Sequence, residues 1–404
     1  MKIVFLVLGA LASDFTTCKF NFTLQCNQPK AKCKQVENSL VLGAQFIENT
    51  IDIINTITVQ VNYTTHADQW KDIHLLGQGK GNYYDVKEND NNISYPQALL
   101  KQTQHYSHET QLQHPFDIQI AINPNAKLLY PKDLAKHKKS TKVSILDVIT
   151  HELLHGMGFK TGISPTAINP NLTDYSKVPN PTVFDKIITT SNKSLAQLIL
   201  DLKSSAIPQA NVKVQTPPDA TSITKTLKSL STTDKGMHVR LRNGPFFLET
   251  NTNPYNEGTS ISHVHLQYIN TQDYRMAKNI PSFFQVLKHA YTKQWKTSPI
   301  GPRTLEVLQT MGYKIKCSPN LNKSMLALIT TNPNNYRDDR SPPSDDRKPT
   351  QPDHQPAEPL ESNPTSIQAT TSDPSGKQHP PSNPQTVSNR HPRKRCKPKR
   401  RPLH

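Results

Sequence analysis

Residues 148–159 read Val-Ile-Thr-His-Glu-Leu-Leu-His-Gly-Met-Gly-Phe. Two histidines and a glutamate stand here in an otherwise uncharged stretch, flanked by Val148, Ile149, Leu153, Leu154, Gly156 and Met157. An unpaired charge in a protein core is costly, so a chain that buries this stretch must give those three side chains specific partners. The spacing predicts a helix over about Val143 to Gly156, ended by Gly156 and Gly158. Residues four apart on a helix share a face, so His151 and His155 point the same way. Two imidazoles so placed can bind one Zn²⁺, and Glu152 can then serve a metal-activated water as general base. The competing reading is an ordinary helix that contains the pattern by chance, in a chain with 16 histidines.

A catalytic zinc takes three protein ligands and keeps a fourth position open. In the pattern H-E-x-x-H-x-x-G-x-x-H the third ligand follows at once. Here Gly158 holds the glycine position, but Thr161 stands where that histidine would be. The third ligand is therefore expected from elsewhere, and the strongest candidate segment is Gly258-Thr259-Ser260-Ile261-Ser262-His263-Val264-His265, followed by Met276. His263 and His265 both remain open as ligands. They could not bind one zinc together from an extended segment, where their Cα atoms lie roughly 6–7 Å apart. Tyr268 and Tyr274 are candidate hydrogen-bond donors to a tetrahedral intermediate, or core residues.

At these residues the chain resembles the leishmanolysin-like metalloproteases, a metzincin-type group. In that family an insertion separates the H-E-x-x-H helix from a third histidine in a G-S-S-x-S-H-type segment, and a methionine about a dozen residues on forms the Met-turn. The resemblance implies His263 as third ligand beside His151 and His155, Glu152 as catalytic residue and Met276 as the Met-turn residue. It covers about residues 39–316, with two specific motifs. His265 departs from the family pattern, which has an acidic residue there. A long propeptide with a masking cysteine and the family's cysteine framework are also missing.

The N-terminus reads as an export signal: Lys2, the apolar run Ile3 to Ala12, and the A-x-A site Ala10-Leu11-Ala12. The alternative is a buried element at the start of a cytosolic domain. Six glycosylation sequons, at Asn21, Asn62, Asn92, Asn171, Asn192 and Asn322, are permissive for a secreted, extracellular glycoprotein. Four of the five cysteines (Cys18, Cys26, Cys33 and Cys317) precede the tail and allow three pairings; Cys396 is left over. Disulfides pinning the N-terminal segment are expected.

Residues 337–404 hold no Phe, Tyr or Trp and 14 of the 33 prolines, and end in a run of Arg and Lys around Cys396. Such a segment cannot bury enough apolar surface to offset the entropy of ordering it. It is expected to be a disordered tail, solvated or tethered to acidic polymers. Only 34% of all residues are hydrophobic, and the formal net charge is +17. The expected organisation is a signal peptide at 1–12, a metallopeptidase domain at 13–336 and the tail at 337–404.

Within the domain, Ser39 to Ile54 has a helical apolar face, running into an alternating strand at Thr56 to Tyr63. A second strand is expected at Phe116 to Ile122, a strand and turn at Val239 to Gly244, and a last helix at Arg303 to Met311 closed by Gly312. Leu76 to Gly81 reads as a loop, and its glycines do not meet the requirements of a phosphate cradle. The polar segment around 190–235 reads as an insertion with one helix, Leu195 to Leu202. Strands and helices mix without a βαβ rhythm, so the class is α+β, with a mixed sheet and an active-site helix in the manner of the zincins. The expected function is a secreted zinc endopeptidase acting as a monomer on a protein or peptide substrate. The alternative is a catalytically silent secreted zincin scaffold that binds acidic glycans or cell wall. Nucleic acid is not an expected partner. After the N-terminal run no stretch reaches the ~18 apolar residues a membrane helix needs.

Overall fold

The structure is a computed structural model describing residues 11–316 except 17–18, 66–69, 71–74, 104–111, 113, 135, 166, 170–176, 191–192, 206–217 and 293–299. The chain divides into two units, residues 1–333 and 334–404. The second unit lies wholly outside the described residues, as do Cys18, Cys317, Cys396 and the apolar run before Leu11.

The first half builds the main sheet. In chain order come β1 (Leu11–Thr16), β2 (Phe20–Cys26), α1 (Lys30–Glu48), β3 (Ile57–Tyr63), β4 (Gly77–Gly81), a hairpin of β5 (Tyr83–Glu88) and β6 (Asn91–Pro96), the short α2 (Gln97–Leu100), and β7 (Ile118–Ile122). The sheet order is β1-β2-β3-β7-β4. β2, β3 and β7 run parallel, while β1 and β4 lie antiparallel at the two edges. Alternation sets the faces: Phe20, Phe22 and Leu24, then Ile57, Val59 and Val61, then Ile118, Ile120 and Ile122 are all buried on one side. This is the mixed sheet of an α+β protein. β1 also holds the expected cleavage point, since Leu11 pairs with Cys26 and Ala12 with Gln25.

After β7 follow β8 (Leu128–Leu129), α3 (Pro131–Leu134), β9 (Val143–Ser144) and α4 (Ile145–Gly156). Every residue of α4 is buried, and Ser144 caps it by accepting from the Leu146 amide at 3.2 Å. α4 lies between α1 and the β7–β4 side of the sheet. The second half adds α5 (Val183–Ile187), β10 (Ile188–Thr189), α6 (Leu195–Ser204), α7 (Pro218–Thr232), the hairpin β11 (His238–Leu241) and β12 (Gly244–Phe247), α8 (Phe283–Thr292) and α9 (Pro302–Met311). Gly312 ends α9 with φ +127°, a conformation open to glycine.

Three expectations change, and one left open is settled. The helix expected at 39–54 begins at Lys30 and ends at Glu48, where the Thr50 hydroxyl donates to the carbonyls of Phe46 and Ile47. Ile51 is then buried through a bridge to Ile315, so its apolar character reflects extended chain rather than helix. The polar insertion carries a second helix, α7, whose Ala220, Thr224, Leu227 and Ser231 form a buried stripe. One cysteine pair is settled: Cys26 and Cys33 form a disulfide tying the end of β2 to the first turn of α1, with Cα atoms 6.0 Å apart. Finally, Leu76–Gly81 is not a loop, because Gly77–Gly81 is the edge strand β4.

β4 is glycine-rich because α4 presses on it. A Cβ at Gly79 would lie 2.2 Å from the Glu152 carbonyl oxygen, and one at Gly81 would lie 2.5 Å from that of Gly156. From the other side, a Cβ at Gly156 would meet Ile118 Cγ2 at 2.2 Å. At Gly79 and Gly81 helix and strand backbones thus approach without side chains between them, while Gly156 makes room for Ile118. Gly79→Ala is expected to cost about 1–3 kcal/mol, the usual penalty for overpacking. A thermal melt against the parent chain checks it, and an unchanged melting temperature would show that this contact is loose.

Candidate metal centre

α4 places Asp147, His151 and His155 at successive four-residue intervals, a single stripe along one helix face. Facing that stripe are two segments held side by side. Val264 bridges Leu248 on one side and Ala277 on the other. The first segment brings in His263; the second is the 3-10 turn Gln272–Met276. His151, His155 and His263 are all buried, and their Nε2 atoms converge, separated by 3.1 Å (151–263), 3.0 Å (151–155) and 3.3 Å (155–263).

The other ring nitrogens determine what those Nε2 atoms are. His151 Nδ1 bonds the Arg275 carbonyl, His155 Nδ1 the Phe159 carbonyl at 2.8 Å, and His263 Nδ1 the Thr259 carbonyl at 3.0 Å. A carbonyl only accepts, so each Nδ1 carries the hydrogen, and in the neutral ring each Nε2 is left as a bare lone pair. The rings are held neutral. Burial pushes His151 down to about 4 and His263 to about 3, the latter aided by the charges of His151 and Lys278. Burial, then its two histidine neighbours, holds His155 well below its ordinary value. Three lone pairs facing one another at such distances repel unless a cation sits among them. Two ligands of a tetrahedral ion, each about 2.0–2.1 Å from it, stand roughly 3.3 Å apart. The donor set therefore fits a metal ion, held on one face with the opposite side free.

Glu152 follows His151, is 5% exposed and lines a groove of about 1000 Å³ that also exposes the three histidines. Burial pushes its carboxyl up to about 8. Leu76, Gly77, Gln78 and Gly79 form part of the same groove, and the carboxylate stands against β4, since a Cβ at Gly77 would lie 2.9 Å from its Oε1. The sequence reading of this strand as a loop concealed that contribution. The signal available was its G-x-G-x-G alternation, which puts all three glycines on one face.

The remaining candidates separate cleanly. Thr161 is turned away, its hydroxyl donating to Asp185 Oδ1 at 2.6 Å. His265 is outside the cluster: Nε2 meets Asp234 Oδ1 at 2.8 Å and Nδ1 accepts from the Gln267 amide. Met276 is fully buried, and its carbonyl accepts from the Val264 amide at 2.8 Å. Neither tyrosine hydroxyl faces the triad. Tyr274 donates to Asp147 Oδ1 at 2.7 Å, and Tyr268 accepts from the Phe247 amide at 3.2 Å.

Beneath the triad lies a buried ion pair that the motif did not announce. Arg275 Nη2 is 2.6 Å from Asp147 Oδ1, with both side chains almost wholly enclosed. Its guanidinium also lies over the rings of Tyr274 and Phe46. The same Arg275 supplies the carbonyl that orients His151, so the ion pair and the His151 imidazole of the triad are fixed by one residue. The visible signal was an aspartate four residues before the first histidine on an otherwise apolar helix.

The full chain, stripped with chelator and titrated with Zn²⁺, should bind one equivalent. His263→Ala should weaken binding at least a hundredfold, and His265→Ala by less than threefold. Loss of the metal in His265→Ala with retention in His263→Ala would sink this geometry.

No curated protein and no solved structure matches the chain. Residues 7–201 and 210–348, which include the whole of the triad, α4 and the sheet, match the SPBPB7E8-like family, and the chain belongs to that family.

Proposed function

We propose that this chain is a secreted zinc-dependent endopeptidase of metzincin type, similar to the leishmanolysin-like group. The observation that carries the reading is the convergence of three bare Nε2 lone pairs at 3.0–3.3 Å beside the buried carboxylate of Glu152, inside an open groove. Neutral imidazoles suit several transition metals, but a site that pairs them with a proton-accepting carboxylate and no thiolate is best served by redox-inert zinc. Bound there, zinc would supply Lewis-acid polarisation of a substrate carbonyl and of the attacking water.

The rest is done by the chain's own groups. Glu152 takes the proton from the attacking water and returns it to the leaving amine. The three Nδ1–H···O=C bonds hold the imidazoles in the ligating tautomer throughout the cycle. Strand β4 pairs only with β7 among the described residues, so its outer edge offers backbone donors and acceptors to an extended peptide lying along the groove. The apolar N-terminal run and the Cys26–Cys33 disulfide support export to an oxidising compartment. No helix among the described residues is long and apolar enough to cross a membrane. The basic tail fits contact with acidic polymers outside the cell.

Glu152→Gln should keep zinc stoichiometry while lowering peptide hydrolysis by about 10³-fold or more, in line with loss of a general base and its charge. Metal analysis and a quenched-peptide assay on the same preparation check this. Hydrolysis at the parent rate by a zinc-loaded Glu152→Gln chain would remove the mechanism.

A further inference from the structure

The groove is uneven in charge. Apart from Glu152, its ionisable lining outside the triad is Lys80, Lys160, Lys278 and Glu257. Lys80 and Glu257 are exposed, whereas Lys160 and Lys278 are half-buried. Lys160 lies just beyond the turn that ends α4, and its charge is felt at His155. Lys278 directly follows the Ala277 bridge, and its charge is felt at His263. Two half-buried cations therefore line the groove beside the cluster, against Glu152 and the exposed Glu257 as its lining carboxylates.

Lys278 is positioned from behind. Glu249 lies opposite His263, exchanging backbone hydrogen bonds with that segment: its amide donates to the His263 carbonyl at 2.7 Å, and its own carbonyl accepts from the Ile261 amide at 2.7 Å. Its side chain is 1% exposed, with Oε1 3.6 Å from Lys278 Nζ and Oε2 without a hydrogen-bond partner among the described residues. That separation is too long for a hydrogen bond. A buried carboxylate repays its desolvation only with excellent geometry, so the pair is poor as a structural bridge. It is better suited to binding. Glu249 holds the ammonium at the groove wall by charge and leaves its N–H donors for a ligand. An incoming carboxylate would meet a preset, half-buried cation on the groove wall, where such a contact is worth more than at the open surface.

We propose that the groove selects peptides carrying an acidic side chain next to the scissile bond, and that Lys278, with Lys160, receives that carboxylate. The inference rests on the peptidase reading for the cut, but not for the binding. Glu249 is a positioning residue, acting through Lys278.

The test uses the full, zinc-loaded chain and pools of quenched peptides, randomised except for a fixed Glu or a fixed Gln, each ending in a free carboxylate or an amide. Cleavage is followed with the parent chain, and binding by anisotropy with Glu152→Gln. The Glu pools should bind, and be cut with a kcat/KM, at least tenfold better than the Gln pools. The preference should shrink as salt rises and should not depend on the terminal group. Lys160→Met should reduce it severalfold. The double variant Glu249→Gln with Lys278→Met, which leaves no carboxylate buried alone, should bring it close to one, while Lys278→Arg should retain it. Equal binding and equal cleavage of the Glu and Gln pools overturn the inference and leave the peptidase reading standing. Preferred binding of Glu pools with no cleavage of either upholds the inference and removes the peptidase reading. A preference that follows the free terminus, or that survives both the Lys160 and the Glu249/Lys278 variants, overturns it, as does failure of every pool to bind.

Discussion

The close approach of α4 to β4 is the contact on which the rest depends. Glycine at 79 and 81 lets helix and strand backbones meet with no side chain between them, and glycine at 156 leaves room for the Ile118 side chain of β7. This puts the Glu152 carboxylate against an edge strand and brings the His151–His155 face to the mouth of the groove. A helix set back by ordinary side chains would stand several ångströms further from the strand, and an extended ligand along β4 would then run past the imidazoles instead of over them. The glycines serve geometry here more than flexibility.

The second requirement is chemical. Neutral imidazole offers one donor and one acceptor, and which nitrogen does which is decided by the partner outside the cluster. Arg275, Phe159 and Thr259 all present carbonyls, from three different parts of the chain. The result is an uncompensated concentration of lone pairs in a buried place. Proteins avoid leaving such pairs facing one another, because buried polar atoms are ordinarily satisfied. A single metal ion could satisfy all three at once.

Much of this was legible in the sequence, where the information is local. The H-E-x-x-H helix, the strands at β3 and β7 and the final helix α9 show in apolar periodicity, which needs only neighbours a few residues apart. β4 was not legible in the same way, because a strand whose buried face is glycine has no apolar period to detect. Helix α7 was missed for a related reason, since its buried stripe uses Ala220, Thr224 and Ser231 alongside Leu227. The pairing of Asp147 with Arg275, and of Glu249 with Lys278, joins residues whose proximity depends on the folded bridges around Val264. For His263, the choice over His265 came from resemblance rather than from any local pattern, and the structure separates the two by where their ring nitrogens are spent.

The Asp147–Arg275 pair has a consequence for how α4 can sit. This helix is buried all round, so its facing is set by the close glycine contacts with the sheet and by where its polar side chains find partners. Turning it by one residue, roughly 100°, would exchange one set of aliphatic contacts for another. It would also strand a carboxylate in the core, a loss of about 3–5 kcal/mol for a broken buried pair. Asp147 thus works as a rotational key. Of all the azimuths open to a greasy rod, it admits the one in which both α4 imidazoles look toward His263.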